Sequence, residues 1–346
     1  MNIIRFILSI FCCSFITYSS ISAAQATDNL YPVGVKQLEF VSKDGRNLAF
    51  ALFYPAVIAK SAKPVSLPFF TNLHFYDNAK PLTDHVKRPL IIFSHGYGSN
   101  GVYYAWFAEF LAARGYIVAA VYHYRANTYD SNAMYLASKL WQRPLDVSAD
   151  INFLLKSKEW GPLIDPDRIG VAGHSQGGFT SLWVGGAKVN PKQFLFFQNI
   201  WKNNWMVPAY IRKPLPLDAK PALHVKDARV KAAFAMAPGD IKVFGMDEPG
   251  LKQLSIPTYI IVGERDTQTP PKDNAEFAAK YIPNVQLEII PGHVDHEIFV
   301  NECNQIGKDS FPEACIDAPG IDRTKLHESI GNSALKFFNE NLKEKK

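Results

Sequence analysis

The chain has 346 residues, a formal net charge of +5 and a sequence pI of about 8.8, with 47% apolar and 20% charged residues. That composition excludes a largely disordered chain, and the length suits one α/β domain with loop insertions. Lysine and arginine are spread along the chain, with one terminal cluster at Lys343, Lys345 and Lys346, so the charge argues against a nucleic-acid partner and leaves only weak contact with a membrane surface.

At the N-terminus, Arg5 precedes an apolar stretch from Phe6 to about Tyr18, followed by the small-x-small run Ala24-Gln25-Ala26. This predicts a signal peptide over residues 1–26, since a membrane span needs about 20 apolar residues. An uncleaved N-terminal anchor is the alternative. The expected mature chain, 27–346, is exported to the periplasm or the medium. Cys12 and Cys13 would leave with the signal, and the remaining pair, Cys303 and Cys315, is expected to form a disulfide in an oxidising compartment. No His or Cys spacing suggests zinc, and neither a metal nor an organic cofactor is expected.

The elements then follow a two-strand opening and a strand–helix alternation. Val35–Val41 and Asn47–Tyr54 flank the turn Lys43-Asp44-Gly45 and predict a hairpin. Pro89–Ser94 is a short apolar run of the buried parallel-strand type. Tyr103–Arg114 has helical spacing and stops at Gly115. Tyr116–Tyr122 is the next strand, and Leu145–Lys158 an amphipathic helix. Arg168–Gly173 is a strand, and Gly177–Gly185 opens a helix. Val230–Ala237, Thr258–Gly263 and Val285–Ile290 are further strands, with a helix at Lys272–Tyr281 and a closing helix from about Arg323 to Leu342. This order implies an α/β fold with a mostly parallel central sheet and helices on both faces, whose ligands bind at the carboxyl ends of the strands. Residues 186–227 interrupt the rhythm with Phe194, Phe196, Phe197, Trp201, Trp205 and Tyr210 among several prolines. They read as an insertion forming a lid or an acyl-binding wall, or else as core beneath an ordinary helix.

Gly173-His174-Ser175-Gln176-Gly177 fits G-x-S-x-G between a predicted strand and a predicted helix. In that context the serine sits on a sharp strand-to-helix turn as a nucleophile, and the flanking glycines allow close backbone approach. A serine hydroxyl needs a base to take its proton. The chain order expected is Ser, acid, His. Asp266, in the loop after Thr258–Gly263, is the expected acid, with Asp240 as its rival. His293, directly after Val285–Ile290, is the expected base, and His296 is read as a wall or surface residue. Ser94-His95-Gly96-Tyr97-Gly98 has the form of an oxyanion loop, with one N–H from Tyr97 and another from Gln176.

These runs resemble a known family. RPLIIFSHGYGSN from Arg88, RPLD at Arg143–Asp146, DPDRIGVAGHSQGG, DARVKAAFAMAP and PGHVDHEIF, with the Cys303/Cys315 pair and Asp322, Arg323 and His327, are similar to bacterial serine esterases of the α/β-hydrolase superfamily related to platelet-activating-factor acetylhydrolase. Such proteins are often labelled predicted dienelactone hydrolases. The resemblance implies carboxylic-ester hydrolysis. True dienelactone hydrolases use a Cys nucleophile where this chain has Ser175. The eukaryotic acetylhydrolases place their acid after the strand matching Val230–Ala237, so here the acid has moved to Asp266, as in the bacterial members. Tyr122-His123-Tyr124 replaces the usual Asp-His-Pro.

The function expected is a serine carboxylic-ester hydrolase with an acyl-enzyme mechanism, acting on small-molecule or lipid esters of short to medium acyl chains. An amidase or peptidase, and a catalytically inactive binding protein on the same fold, are the alternatives. The sequence does not specify the oligomeric state.

Overall fold

The computed structural model describes residues 30–131, 142–203 and 225–344. The predicted signal peptide lies outside the described residues, as do Trp205 and Tyr210 of the insertion.

The chain opens with the antiparallel hairpin β1 (Val33–Val41) and β2 (Asn47–Val57), then the short strands β3 (Phe75–Asp77) and β4 (Lys80–Pro81). The parallel core follows as β5 (Arg88–Ser94), α1 (Ala105–Ala112), β6 (Ile117–Tyr122), α2 (Gln142–Lys156), β7 (Ile164–His174) and α3 (Gln176–Gly185). Next come α4 (Pro191–Lys202), β8 (Val230–Met236), the single turn α5 (Glu248–Leu251), β9 (Thr258–Gly263), α6 (Ala275–Tyr281) and β10 (Val285–Ile290). Short helices α7 (Gln305–Ser310) and α8 (Pro312–Cys315) precede the final helix α9 (Arg323–Asn341). The strand order is β10-β9-β8-β7-β5-β6-β2-β1-β3, with β4 on β2. Strands β5 to β10 run parallel to one another, and β2 joins β6 antiparallel.

The strand periodicity of two divides the core between the sheet's faces. Ile91 and Phe93 of β5 join a cluster with Phe107 and Leu111 of α1 and Phe337 and Phe338 of α9. Leu90 and Ile92 face the other way, onto Val147, Ile151 and Leu154 of α2. Every residue of β5 is buried, which is why its sequence reads as a continuous apolar run rather than an alternating one.

Register then sets the site. Ser94 pairs with Gly173, and His174 pairs with Met236, so the carboxyl ends of β5, β7 and β8 lie side by side. The α3 helix starts directly against this edge. A Cβ on Gly177 would lie 1.8 Å from the Ser94 carbonyl oxygen, and one on Gly173 would lie 2.4 Å from the Gly177 oxygen. Glycine is required at both places because the obstacles are backbone atoms.

The insertion contributes α4 among the described residues. Pro191 occupies the first helical position, and the Asn190 side chain accepts from Lys192 N at 3.1 Å, which together start the helix. Leu195 and Phe196 on it are exposed.

Gly177→Ala should destabilise the fold by about 3 kcal/mol, the upper range for overpacking against atoms that cannot rotate away. Urea unfolding monitored by tryptophan fluorescence checks this, and a midpoint equal to that of the unaltered protein would contradict it.

Candidate active site

Ser175 is the residue between β7 and α3, and its backbone sits at φ 55, ψ −120. For a residue with a Cβ this is a strained conformation that only its surroundings can hold. Three backbone hydrogen bonds do so: Ser175 N donates to Met236 O at 2.9 Å, while Phe179 N and Gly239 N donate to Ser175 O at 3.0 and 3.1 Å. The hydroxyl is thereby turned out of the sheet edge into a cleft of about 430 Å³, lined in part by Gly96, Tyr97, His174, Ser175 and His296.

Asp266 follows β9 and is buried. Its Oδ1 accepts from Thr269 N at 2.7 Å, and its Oδ2 accepts from Thr269 Oγ1 at 2.9 Å. The same Oδ2 lies 2.7 Å from Nδ1 of His296. A carboxylate so placed fixes Nδ1 as the protonated ring nitrogen and leaves Nε2 as the basic one. A Cβ on Gly239 would lie 3.4 Å from Ser175 Oγ and 3.0 Å from Thr269 Cγ2, so the nucleophile candidate and the acid loop meet across a residue with no side chain.

For the base candidate, the placement in the structure departs from the expectation. His293 is exposed, and the histidine bonded to Asp266 is His296. The reason is local. After β10 the chain turns at Gly292, with φ 93, and Gly292 N donates to the Glu264 carboxylate at 2.7 Å. Arg265 N donates to Val294 O at 2.9 Å, tying the acid loop to the residue after His293. Val294 packs inward and His293 is left at the surface. Asp295 then caps a 3-10 turn over His296–Phe299, its carboxylate accepting from Glu297 N at 3.1 Å, and this turn carries His296 inward. The Asp-His-Glu run after an apolar strand was a readable capping signal. Asp240, the rival acid, is exposed and takes φ 53, whereas Asp266 holds the imidazole.

Two further residues, His174 and Tyr104, organise the site. His174 is buried, and burial together with the neighbouring His296 pushes its imidazole well below the usual range, so it is neutral. Its Nε2 donates to the His296 carbonyl at 3.0 Å, and its Nδ1 accepts from the Tyr104 hydroxyl at 2.9 Å. Tyr104 Oη in turn lies 3.4 Å from Gly96 N. One chain of contacts therefore links the expected oxyanion loop, the residue before Ser175 and the backbone of His296.

Tyr97 is at the cleft and 53% exposed, and Gln176 is the first residue of α3. Gly96 lies against Ser175, since a Cβ there would be 3.4 Å from Ser175 Cβ. The cleft walls come from Phe70, Tyr103, Val300 and Phe311, with Glu297 and Glu313 at the polar positions. Among the described residues none of the 186–227 insertion lines this cleft. The lid expectation for residues 186–227 falls in part on residues 204–224, which lie outside the described ones. Cys303 and Cys315 form a disulfide with a Cα–Cα distance of 5.4 Å, and Cys315 itself borders the cleft. Among the described residues no group of three His, Cys, Asp or Glu side chains is gathered as a metal site, and no helix is long and apolar enough to cross a membrane.

Comparison with known proteins agrees with this architecture. Residues 68–139, which carry β5, the Ser94–Gly98 loop, α1 and β6, match the family model described as platelet-activating factor acetylhydrolase, isoform II. The dog platelet-activating factor acetylhydrolase (Canis lupus familiaris) is 29% identical over 184 residues, covering 40% of this chain and 40% of that protein. The bovine protein of the same name (Bos taurus) is 29% identical over 178 residues, covering 38% of this chain and 39% of that protein. The match thus spans about two fifths of the length of these curated relatives. A ferulic acid esterase from Streptomyces cinnamoneus superposes with a TM-score of 0.64 at 21% identity, covering 92% of each chain. The chain has the α/β-hydrolase fold and resembles the platelet-activating factor acetylhydrolases in sequence.

The disulfide closes a loop of sequence separation 12 that carries α7 and α8. Cys303→Ser/Cys315→Ser should lower stability by about 3 kcal/mol, the chain-entropy value for a loop of this size. Thermal melts of the double variant, and of the wild type with and without reductant, should show the same drop in Tm; no change on reduction would refute it.

Proposed function

We propose that this protein is a serine carboxylic-ester hydrolase that works through an acyl-enzyme, with Ser175 as nucleophile, His296 as general base and Asp266 as the acid that orients it. The observation that carries the reading is the 2.7 Å contact of Asp266 Oδ2 with His296 Nδ1, beside a serine held at φ 55 in the same cleft. Structural ion pairs are common, but a strained serine at a strand-to-helix turn has no structural use of its own.

The reaction follows from the roles. His296 Nε2 takes the Ser175 proton as Oγ attacks the ester carbonyl, and the Ser175–His296 contact is the one that must tighten when substrate binds. Asp266 keeps Nδ1 protonated and stabilises the imidazolium that forms. The backbone N–H groups of Tyr97 and Gln176 are assigned to the developing oxyanion. His296 returns the proton to the leaving alkoxide. Water, activated by the same imidazole, then releases the acyl group. No step needs a metal or an organic cofactor.

The cleft volume of about 430 Å³ and its aromatic and aliphatic walls favour short to medium acyl or aryl esters, lipid esters included. Export through a cleaved signal over residues 1–26 belongs to the same proposal and agrees with the Cys303–Cys315 disulfide, which persists outside a reducing cytosol.

The test is hydrolysis of p-nitrophenyl esters from acetyl to palmitoyl by the mature chain and its variants. Ser175→Ala and His296→Ala should each lose about 10⁶-fold in kcat, the loss on removing the serine or the histidine of a triad. His293→Ala should stay within about twofold of wild type, because an exposed side chain away from the acid contributes little. Equal activity in Ser175→Ala would overturn the nucleophile. Loss in His293→Ala with retention in His296→Ala would restore the other histidine as base. Cleavage of anilides in preference to esters would favour an amidase, and no turnover of either would favour a binding protein.

A further inference from the structure

Beneath the cleft lies a second constellation of serine, histidine and aspartate. Ser94 Oγ is 2.7 Å from His123 Nε2, and His123 Nδ1 is 3.0 Å from Asp146 Oδ2. All three side chains are buried. Asp146 also accepts from Tyr124 N at 3.2 Å and from Arg46 Nη1. Burial, with Arg143, His95 and Arg46 nearby, holds His123 well below the usual imidazole range, so it is neutral. Its Nδ1 must then be the protonated nitrogen, donating to the Asp146 carboxylate. Nε2 is left to accept the Ser94 hydroxyl proton, and the Ser94 lone pairs face outward to another donor.

That donor is Arg143, in the first turn of α2 and 3% exposed. Its Nη2 reaches Ser94 Oγ at 3.4 Å and also donates to the His95 carbonyl, while its Nη1 donates to the Gln176 side-chain oxygen. His95 is the residue before Gly96-Tyr97, and Gln176 is the residue after Ser175. The two strands of the proposed oxyanion hole come from different parts of the chain, one following β5 and one opening α3. A single planar guanidinium spans both. Burial brings that guanidinium down to about 9, still charged at neutral pH. The acceptors described for it are neutral oxygens, so its hydrogen-bond fork serves geometry rather than an ion pair.

We propose that Arg143 is a positioning residue for the oxyanion hole: it staples the Ser94–Gly98 loop to Gln176 and so fixes the separation of the Tyr97 and Gln176 N–H groups. This rests on the esterase reading given above. The oxyanion donors act through preorganisation, and a displacement of about 1 Å at such a site costs on the order of 10²-fold in rate. Arg143 touches no substrate in this scheme. Its loss should lower kcat and spare KM, because a tetrahedral oxyanion needs the donors more than a ground-state carbonyl does.

The experiment compares the wild type with Arg143→Lys and Gln176→Ala, each titrated to completion with a fluorophosphonate so that rates are per competent Ser175. Lysine keeps the charge but cannot fork to both segments. Alanine at 176 keeps the backbone N–H and removes only the acceptor. Arg143→Lys should lower kcat about 10²-fold and Gln176→Ala about tenfold, with KM within about twofold. The affinity for a phenylboronic acid, which forms a tetrahedral adduct on the serine, should fall by the same factor as kcat/KM, and the acid limb of the pH profile should stay in place. Wild-type kcat per titrated site in both variants would overturn the inference, as would a raised KM with kcat intact. If Arg143→Lys does not fold, Gln176→Ala decides alone, since it leaves the guanidinium where it is. An active wild type with two unimpaired variants removes only the positioning role; a wild type inactive on every ester removes the esterase reading and this role with it.

Discussion

The seating of α3 on the end of β5 is the contact from which the rest of the site follows. With Gly177 against the Ser94 carbonyl and Gly173 against Gly177, the helix begins within backbone distance of the neighbouring strand. The chain has one residue, Ser175, in which to turn from strand to helix, and that residue takes the positive φ. The strain is offset elsewhere, by the six parallel strands and by hydrogen bonds to Met236, Phe179 and Gly239. A side chain at either glycine would lift the helix, relax the turn and withdraw the hydroxyl from the cleft.

Around this fixed point three buried imidazoles hold neighbouring loops through neutral hydrogen bonds. His95, His123 and His174 are all buried and all driven far down by desolvation. Each therefore offers one donor and one acceptor in a determined tautomer. His95 Nδ1 donates to Gly96 O at 2.7 Å while its Nε2 accepts from His123 N at 3.3 Å. A lysine or a carboxylate could not do both. Three imidazoles thus act as rigid spacers between loops, and the arrangement they hold does not change charge across the physiological pH range.

The sequence was most readable where burial is complete on both sides. Strands β5 to β9 and the strand-to-helix turn at Ser175 follow from apolar runs and glycine spacing, because a buried parallel strand has no polar face to blur the pattern. The edge strands β3 and β4 were not anticipated; at three and two residues they are too short to show a period. Helix ends moved by a few residues where 3-10 turns intervene, at Gly101–Tyr104 before α1 and at Pro271–Asp273 before α6. Within the site, Ser175 and Asp266 sit at strand ends and could be placed by that rule. The histidine could not, because proximity to β10 favoured His293 whereas the capped turn after Val294 decides the orientation. The buried roles of Tyr104, His123, Arg143 and His174 depend on contacts that reach as far as 122 residues along the sequence and had no local signature.

The two serine–histidine–aspartate sets in this chain show how little the residue types themselves determine. Ser94, His123 and Asp146 have hydrogen-bond lengths close to those expected of a charge-oriented hydroxyl. Yet Ser94 is 1% exposed at the end of a strand, and its oxygen is met by Arg143 Nη2. It has no space for an electrophile and no strain to direct it outward. Ser175 has both a cleft and a positive φ, and the histidine proposed as its base, His296, meets the Asp266 carboxylate through Nδ1. Access and backbone direction separate the proposed reacting set from the supporting one. The supporting set is then free to use the same chemistry for a different end, which is to hold the loop that would receive the oxyanion.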